Sequence, residues 1–164
     1  MQGSIEQFLA QVARRGSWVG GGSVAAFSAA LSAALLEKLV HDPAAARRLG
    51  AVRRECLALL DRDAEAFARV IRTTRRKDRR AFRAALQAAT EVPCRVFEHA
   101  QRVQAACRAA QQAVKPRFQS DLRCAMAVAI AAGESARTLI HTNLAWLNDP
   151  AYAKRIRRRL QAAG

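Results

Sequence analysis

The sequence predicts an all-α, single-domain bundle of long helices. Three observations carry this expectation. Apolar residues recur at steps of three and four along nearly every segment. No run of alternating β-branched residues marks a strand. Hydrophobic residues make up 51% of the chain and aromatics only 5%, with alanine prominent, which favours closely packed helices. The 164 residues suit one domain over residues 1–164. No solenoid period or low-complexity linker divides it.

The first helix is expected from a Ser4 cap to a stop at Gly16. Next come Gly20, Gly21 and Gly22, directly before a run rich in Ala and Leu. Glycine costs about 1 kcal/mol relative to alanine inside a helix. The triplet therefore reads as an approach loop, with Ser23 as N-cap of a second helix reaching Val40. Asp42-Pro43 opens a third helix, about residues 44–71. "RTTRRKDRR" reads as a basic turn, followed by a short helix over about 80–89. "TEVP" restarts the chain, with Pro93 in the first turn of a helix reaching about Val114. After the loop "VKPRFQS", Ser120 is expected to cap a long helix from Asp121 to Leu147, and "NDP" opens a final helix.

Polar residues interrupt the apolar stripes. The fifth long segment carries Leu122, Ala125, Met126, Ala129, Ile130, Gly133, Ala136, Ile140, Leu144 and Leu147 on one face, and Asn143 lies on it. Asn143 is either an internal hydrogen bond that fixes helix register or a group facing a ligand. The third helix has Leu49, Val52, Cys56, Leu60, Phe67 and Val70, with Asp63 among them. A carboxylate there needs a partner. The second helix has the stripe Val24, Phe27, Leu31, Ala34 and Leu35, which continues through Lys38. An Asp63–Lys38 ion pair is one explanation; a carboxylate poised at a pocket is the other.

Two helix starts, after Gly20-Gly21-Gly22-Ser23 and after Ser120-Asp121, offer free N–H groups that can hold an anion. Each is equally readable as a plain loop or cap. No Gly-Lys-Ser/Thr follows the glycines, so they form no Walker loop. No strand precedes them, which excludes a dinucleotide fingerprint. His41, His99 and His141 share no ligand spacing and read as surface or boundary groups, so no metal is expected. Cys56, Cys94, Cys107 and Cys124 form no Cys-x-x-Cys unit. Reduced thiols, most of them buried, fit a cytoplasmic protein. The N-terminal stretch has no long apolar core of a signal peptide. No membrane span is expected either, on the reading that no apolar stretch of about 18 residues is free of charge.

Lys and Arg number 28 against 13 Asp and Glu, a formal charge of +15. Such a surface attracts anions: nucleic acid, an acidic membrane, phosphate or a polycarboxylate. It also serves simply as a solubilising surface. The basic runs at 72–80 and 154–160 have almost no interleaved aromatics, so nucleic-acid binding rests on charge alone.

Five pieces of the sequence, in order, resemble the cyclodeaminase/cyclohydrolase family. They are GGGS at Gly20–Ser23, D-A-x-A-F at Asp63–Phe67, T-x-V-P at Thr90–Pro93, S-D at Ser120–Asp121, and N-L-x-x-L-x-D at Asn143–Asp149. The family includes the C-terminal domain of formiminotransferase-cyclodeaminase and stand-alone methenyltetrahydrofolate cyclohydrolases. The resemblance covers almost the whole chain. It implies an all-helical homodimer or higher homo-oligomer, with helix faces as the contact, and a tetrahydrofolate derivative as substrate without a permanently bound cofactor. The implied chemistry is ammonia release from 5-formiminotetrahydrofolate, or hydration of 5,10-methenyltetrahydrofolate. On it, Asp121 is expected as the acid/base or electrostatic group. Gly20, Gly21, Gly22 and Ser23 are expected as the substrate-facing loop, with Ser120 beside Asp121 and with Asp63 and Asn143 orienting substrate. The chain departs from the family's usual pattern at Val19, Lys38, Ser135 and Leu139, where the family has respectively Pro, an apolar residue, Gly and Asn. Those departures sustain an alternative: a non-catalytic member serving as a basic helical scaffold for an acidic partner, nucleic acid or protein.

Overall fold

The computed structural model of the protein describes residues 4–76 and 78–164, and among them every regular element is helical. The side chains of Ser4 and Gln7 each accept the other's backbone N–H and start α1, Ile5–Ala13. This reciprocal box satisfies two donors that a helix start leaves open. The chain reverses at Gly16, whose φ of +77° is a left-handed conformation glycine adopts without cost. α2 spans Gly21–Leu39, α3 Pro43–Arg75, α4 Arg79–Ala110, α5 Gln119–Leu147 and α6 Pro150–Ala163. Asp42, Asp78 and Asp149 cap α3, α4 and α6 by accepting backbone N–H groups. A 3-10 turn at Pro116–Phe118 leads into α5.

Several expectations change. α2 begins at Gly21, with Gly20 as N-cap, so two of the three glycines lie inside the helix and Ser23 caps nothing. Segments 80–89 and 93–114 are one helix, α4, with Pro93 in its interior. The basic segment is mostly helical, because α3 continues through Arg75 and α4 begins at Arg79; Lys77 lies outside the described residues. Ser120 sits within α5 and is not its cap. His99 is buried rather than at the boundary, with Nε2 3.1 Å from Glu55 on α3. Burial holds its pKa below the usual histidine value, against the opposing pull of Glu55.

The four long helices run up and down. α2 and α5 are antiparallel neighbours: Gly21 faces Leu139, Ser32 donates to the Ala125 carbonyl at 2.6 Å, and Lys38 meets Asp121. α3 lies on the other side of α2, and α4 closes the bundle against α3 and α5, while also meeting α2. α6 packs on α4 through Arg159, which bridges Glu91 and Glu98.

The buried face of α2 is its alanine side: Ala25, Ala26, Ala29, Ala30, Ala33 and Leu36. The stripe read from the sequence points elsewhere, with Val24 and Leu31 exposed and Phe27 tilted against Phe8 of α1, ring centroids 4.9 Å apart. Both faces of α2 are apolar, so hydropathy alone does not choose between them. The small face wins because three helices crowd it. Residues 16–36 contain no charge, so the premise that no apolar stretch of about 18 residues is free of charge fails, although the expectation of no membrane span does not rest on it alone. α2 is long and apolar enough to cross a membrane by length and composition, at a mean hydropathy of 1.3, yet 56% of that window is buried inside the bundle.

Candidate active site

Asp63 organises one end of the bundle. It projects from α3 onto the first turn of α2, where the Ser23 hydroxyl donates to its Oδ2 at 3.0 Å and the Ser23 backbone N–H adds a second hydrogen bond. Ser23 Oγ also lies 3.2 Å from the Leu60 carbonyl. The open N–H groups and positive end of a helix suit a carboxylate here. Gly22 makes the approach possible: a Cβ at this position would overlap the Asp63 carboxyl group. Gly21 would bring a Cβ no closer than 3.6 Å to Leu139, and Gly20 faces open space. Of the three glycines, then, only Gly22 is demanded by packing. Burial raises the Asp63 pKa above the usual carboxylate value, against the two Ser23 hydrogen bonds that lower it.

A cleft of about 210 Å³ opens beside this carboxylate. Gly20, Gly21 and Gly22 form one edge; Asp63, Phe67 and Val70 of α3, Ala89 and Pro93 of α4, and Leu139 and Asn143 of α5 form the walls. Trp18, Phe67 and Trp146 line it while remaining 43%, 41% and 58% exposed. Trp18 meets Phe67 edge-on, with centroids 6.1 Å apart. Pro93 has no N–H, so the Ala89 carbonyl loses its ordinary helical partner on the cleft wall. Thr90, one residue on, is buried and turns its hydroxyl to the Leu86 carbonyl at 2.7 Å. The Asn143 side chain makes no hydrogen bond to another described residue, so it fixes no helix register within this chain.

Six of the eight expected site residues thus line the cleft or hold its carboxylate at the α2 start: Gly20, Gly21, Gly22, Asp63 and Asn143 line it. Ser23 is the support beneath. The structure does not bring Ser120 or Asp121 there. Asp121 is 22 residues along α5 from Asn143, about 33 Å at 1.5 Å per residue. Its Oδ2 lies 3.6 Å from Lys38 Nζ, and both side chains are well exposed. Lys38 therefore pairs with Asp121, not with Asp63. Sequence reasoning missed the aromatic rim. Its signal was present: Trp18 two residues before the glycines, Phe67 one turn after Asp63, and Trp146 three residues after Asn143. No group of three or more His, Cys, Asp or Glu residues placed to hold a metal ion occurs among the described residues.

The fold and cleft define a helical protein with a half-buried carboxylate seated on a glycine-opened helix start beneath an aromatic rim. The formiminotransferase-cyclodeaminase family model matches residues 4–41 and 43–162, and the chain belongs to that family. The crystal structure of formiminotetrahydrofolate cyclodeaminase from Thermotoga maritima is similar, with a TM-score of 0.92 at 20% identity, covering 99% of this chain and 88% of that one. At that identity the likeness establishes the fold alone. No curated protein sequence matches the chain.

The seating of Asp63 gives a direct test. Gly22→Ala is expected to lower stability by about 1–3 kcal/mol, because overpacking forces the carboxyl group off its seat. Gly20→Ala, which meets nothing within 4 Å, is expected to stay within about 0.5 kcal/mol. Denaturant unfolding distinguishes them; equal costs would show that Asp63 is not held against Gly22.

Proposed function

We propose that the protein is a folate one-carbon enzyme, a methenyltetrahydrofolate cyclohydrolase or a formiminotetrahydrofolate cyclodeaminase. The observation that supports this is the Asp63 carboxyl group, desolvated at the α2 start and open to a cleft with flat aromatic walls. The cleft volume, about 210 Å³, is below the roughly 300–1,000 Å³ that encloses a whole drug-sized ligand. It suits the pterin ring, stacked at Trp18 or Trp146, with the glutamate end in solvent. The +15 charge aids capture of that end. Asn143 and the Ala89 carbonyl supply polar partners for the ring.

Asp63, rather than Asp121, carries the acid/base role in this reading. In hydration, Asp63 takes a proton from water as its oxygen bonds the methenyl carbon. The bond from that carbon to N5 then breaks as Asp63 returns its proton to N5, the carbinol hydroxyl gives up its proton to solvent to become the formyl C=O, and 10-formyltetrahydrofolate results. In deamination, N10 attacks the formimino carbon, the exocyclic nitrogen takes the N10 proton and a second one from Asp63, and the bond to it breaks to release ammonia and leave the methenyl cation. Hydration needs Asp63 ionised; deamination needs it protonated. Its raised pKa therefore predicts opposite pH limbs for the two reactions. Hydrolase activity falls as pH drops through the folded pKa, which lies above the usual 3.8; deaminase activity falls as pH rises through it.

Loss of methenyltetrahydrofolate absorbance, faster than in buffer, is the assay. Asp63→Asn is expected to lower kcat/KM by about 100-fold or more, and Asp121→Asn by no more than about threefold. The reverse ranking would move the chemistry to the other end of α5.

One observation favours the second reading, a non-catalytic basic scaffold. Leu139 presents an apolar side chain to the cleft against Gly21. Salt-sensitive retention of random DNA without turnover would select it.

We further propose a cytoplasmic homodimer joined through the outer face of α2 and α5. This face presents Val24 and Leu31 beside Cys124, Ala131, Ser135 and Thr138, with no charge among them. On a +15 chain, an uncharged face is where two copies meet with least repulsion. Sedimentation is expected to show a dimer that Leu31→Arg converts to a monomer of unchanged helix content. A wild-type monomer contradicts the assignment.

A further inference from the structure

A second and larger cavity lies at the opposite end of α2. It encloses about 500 Å³, within the range of small-molecule pockets, roughly 300–1,000 Å³. It forms where the last turn of α2, the first turns of α3 and the last turns of α4 diverge. Leu39, Leu49, Val52, Ala106, Ala110 and Val114 contribute its apolar lining. The alanines of α4 create the space, since longer side chains there would fill it. Leu39 stands 18 residues along α2 from Gly21, about 27 Å at 1.5 Å per residue, so this cavity is separate from the Asp63 cleft. Neither a glycine nor a buried carboxylate lines it.

Its charged and ionisable lining residues are Arg48, Arg102, His41 and Asp42. Arg48 already lies 3.8 Å from Asp42. Arg102 has no carboxylate partner among the described residues; its guanidinium lies 3.4 Å from His99 Nδ1. His99 is itself committed to Glu55 through Nε2. The cavity therefore pairs a mostly apolar body with one guanidinium that has no carboxylate partner among the described residues.

We propose that this cavity binds a small amphiphilic carboxylate, its hydrocarbon or aromatic body among the α4 alanines and its carboxylate on Arg102. The apolar lining excludes a polyanion, which would need more cations than Arg102 supplies. A neutral hydrocarbon leaves Arg102 unpaired, and a cationic amphiphile is repelled by it. A guanidinium meets a carboxylate in a strong charge-assisted pair, while the body gains by leaving water.

Decanoate is the probe, measured by isothermal titration calorimetry on the full chain, with decyltrimethylammonium as the opposite-charge control. One saturable decanoate site per chain is expected, with the cation at least about tenfold weaker. Arg102→Ala is expected to weaken decanoate about tenfold, the loss of one charged hydrogen-bonded contact. Ala109→Trp, at an exposed position on the cavity wall, fills the space and abolishes binding. Ala113→Phe replaces it should that variant lose its helix signal. Three results overturn the proposal: no saturable decanoate site, equal affinity for the two amphiphiles, or binding that survives the filling substitution. The proposal is independent of the folate reading. Normal methenyltetrahydrofolate turnover without decanoate binding overturns this site alone, and decanoate binding without turnover overturns the other alone.

Discussion

The contact on which the cleft depends is a carboxylate resting on a helix start. Asp63 reaches across from α3 to the first turn of α2 and takes two hydrogen bonds from Ser23. Gly22 lies against the Asp63 carboxyl group, and its missing Cβ leaves the room that group occupies. The alignment then propagates. With α2 anchored to α3, its alanine face meets α4 and α5, and Gly21 falls opposite Leu139. That places Asn143 and Trp146, one and two turns further along α5, around the same opening.

The same contact sets the chemistry available. A fully exposed aspartate has an ordinary pKa and spends its life hydrated. Burial pushes Asp63 upward, and the Ser23 donors pull it back. The net effect is a carboxyl group that holds its proton to higher pH than an exposed aspartate does. The rim adds ring-shaped apolar surface, and the interior proline leaves a carbonyl without its helical partner on the wall. These are features of a site that binds a flat, polar-edged molecule. They account for the position of four sequence motifs in one cleft: the glycine triplet, the Asp63 segment, the Thr90–Pro93 segment and the Asn143 segment.

The helical class, the single domain and most helix limits were legible in the sequence, because spacing, caps and Asp-Pro starts are local signals. Ser4, Asp42 and Asp149 act at the helix starts where their residue types imply. Pro93 misled because local rules place proline at a helix start, whereas packing against α3 and α5 holds α4 continuous through it. The orientation of α2 was illegible for a different reason: an apolar stripe exists on both of its sides, and only the neighbours decide which is covered. Ser120 and Asp121 have the residue types of an anion-binding helix start, yet α5 begins earlier, and Asp121 finds Lys38. Which helix start lies at the cleft is a tertiary fact that spacing does not carry.

The chain's two tryptophans, Trp18 and Trp146, both line the Asp63 cleft, so intrinsic fluorescence reports on that cleft and little else. The most direct measurement is a fluorescence titration with 5-formyltetrahydrofolate, a stable folate of the proposed class, on the wild type and on Asp63→Ala. The account predicts saturable quenching in the wild type and quenching that is weakened in the variant. Saturable binding detected by calorimetry with no change in tryptophan emission would place the folate elsewhere and contradict it.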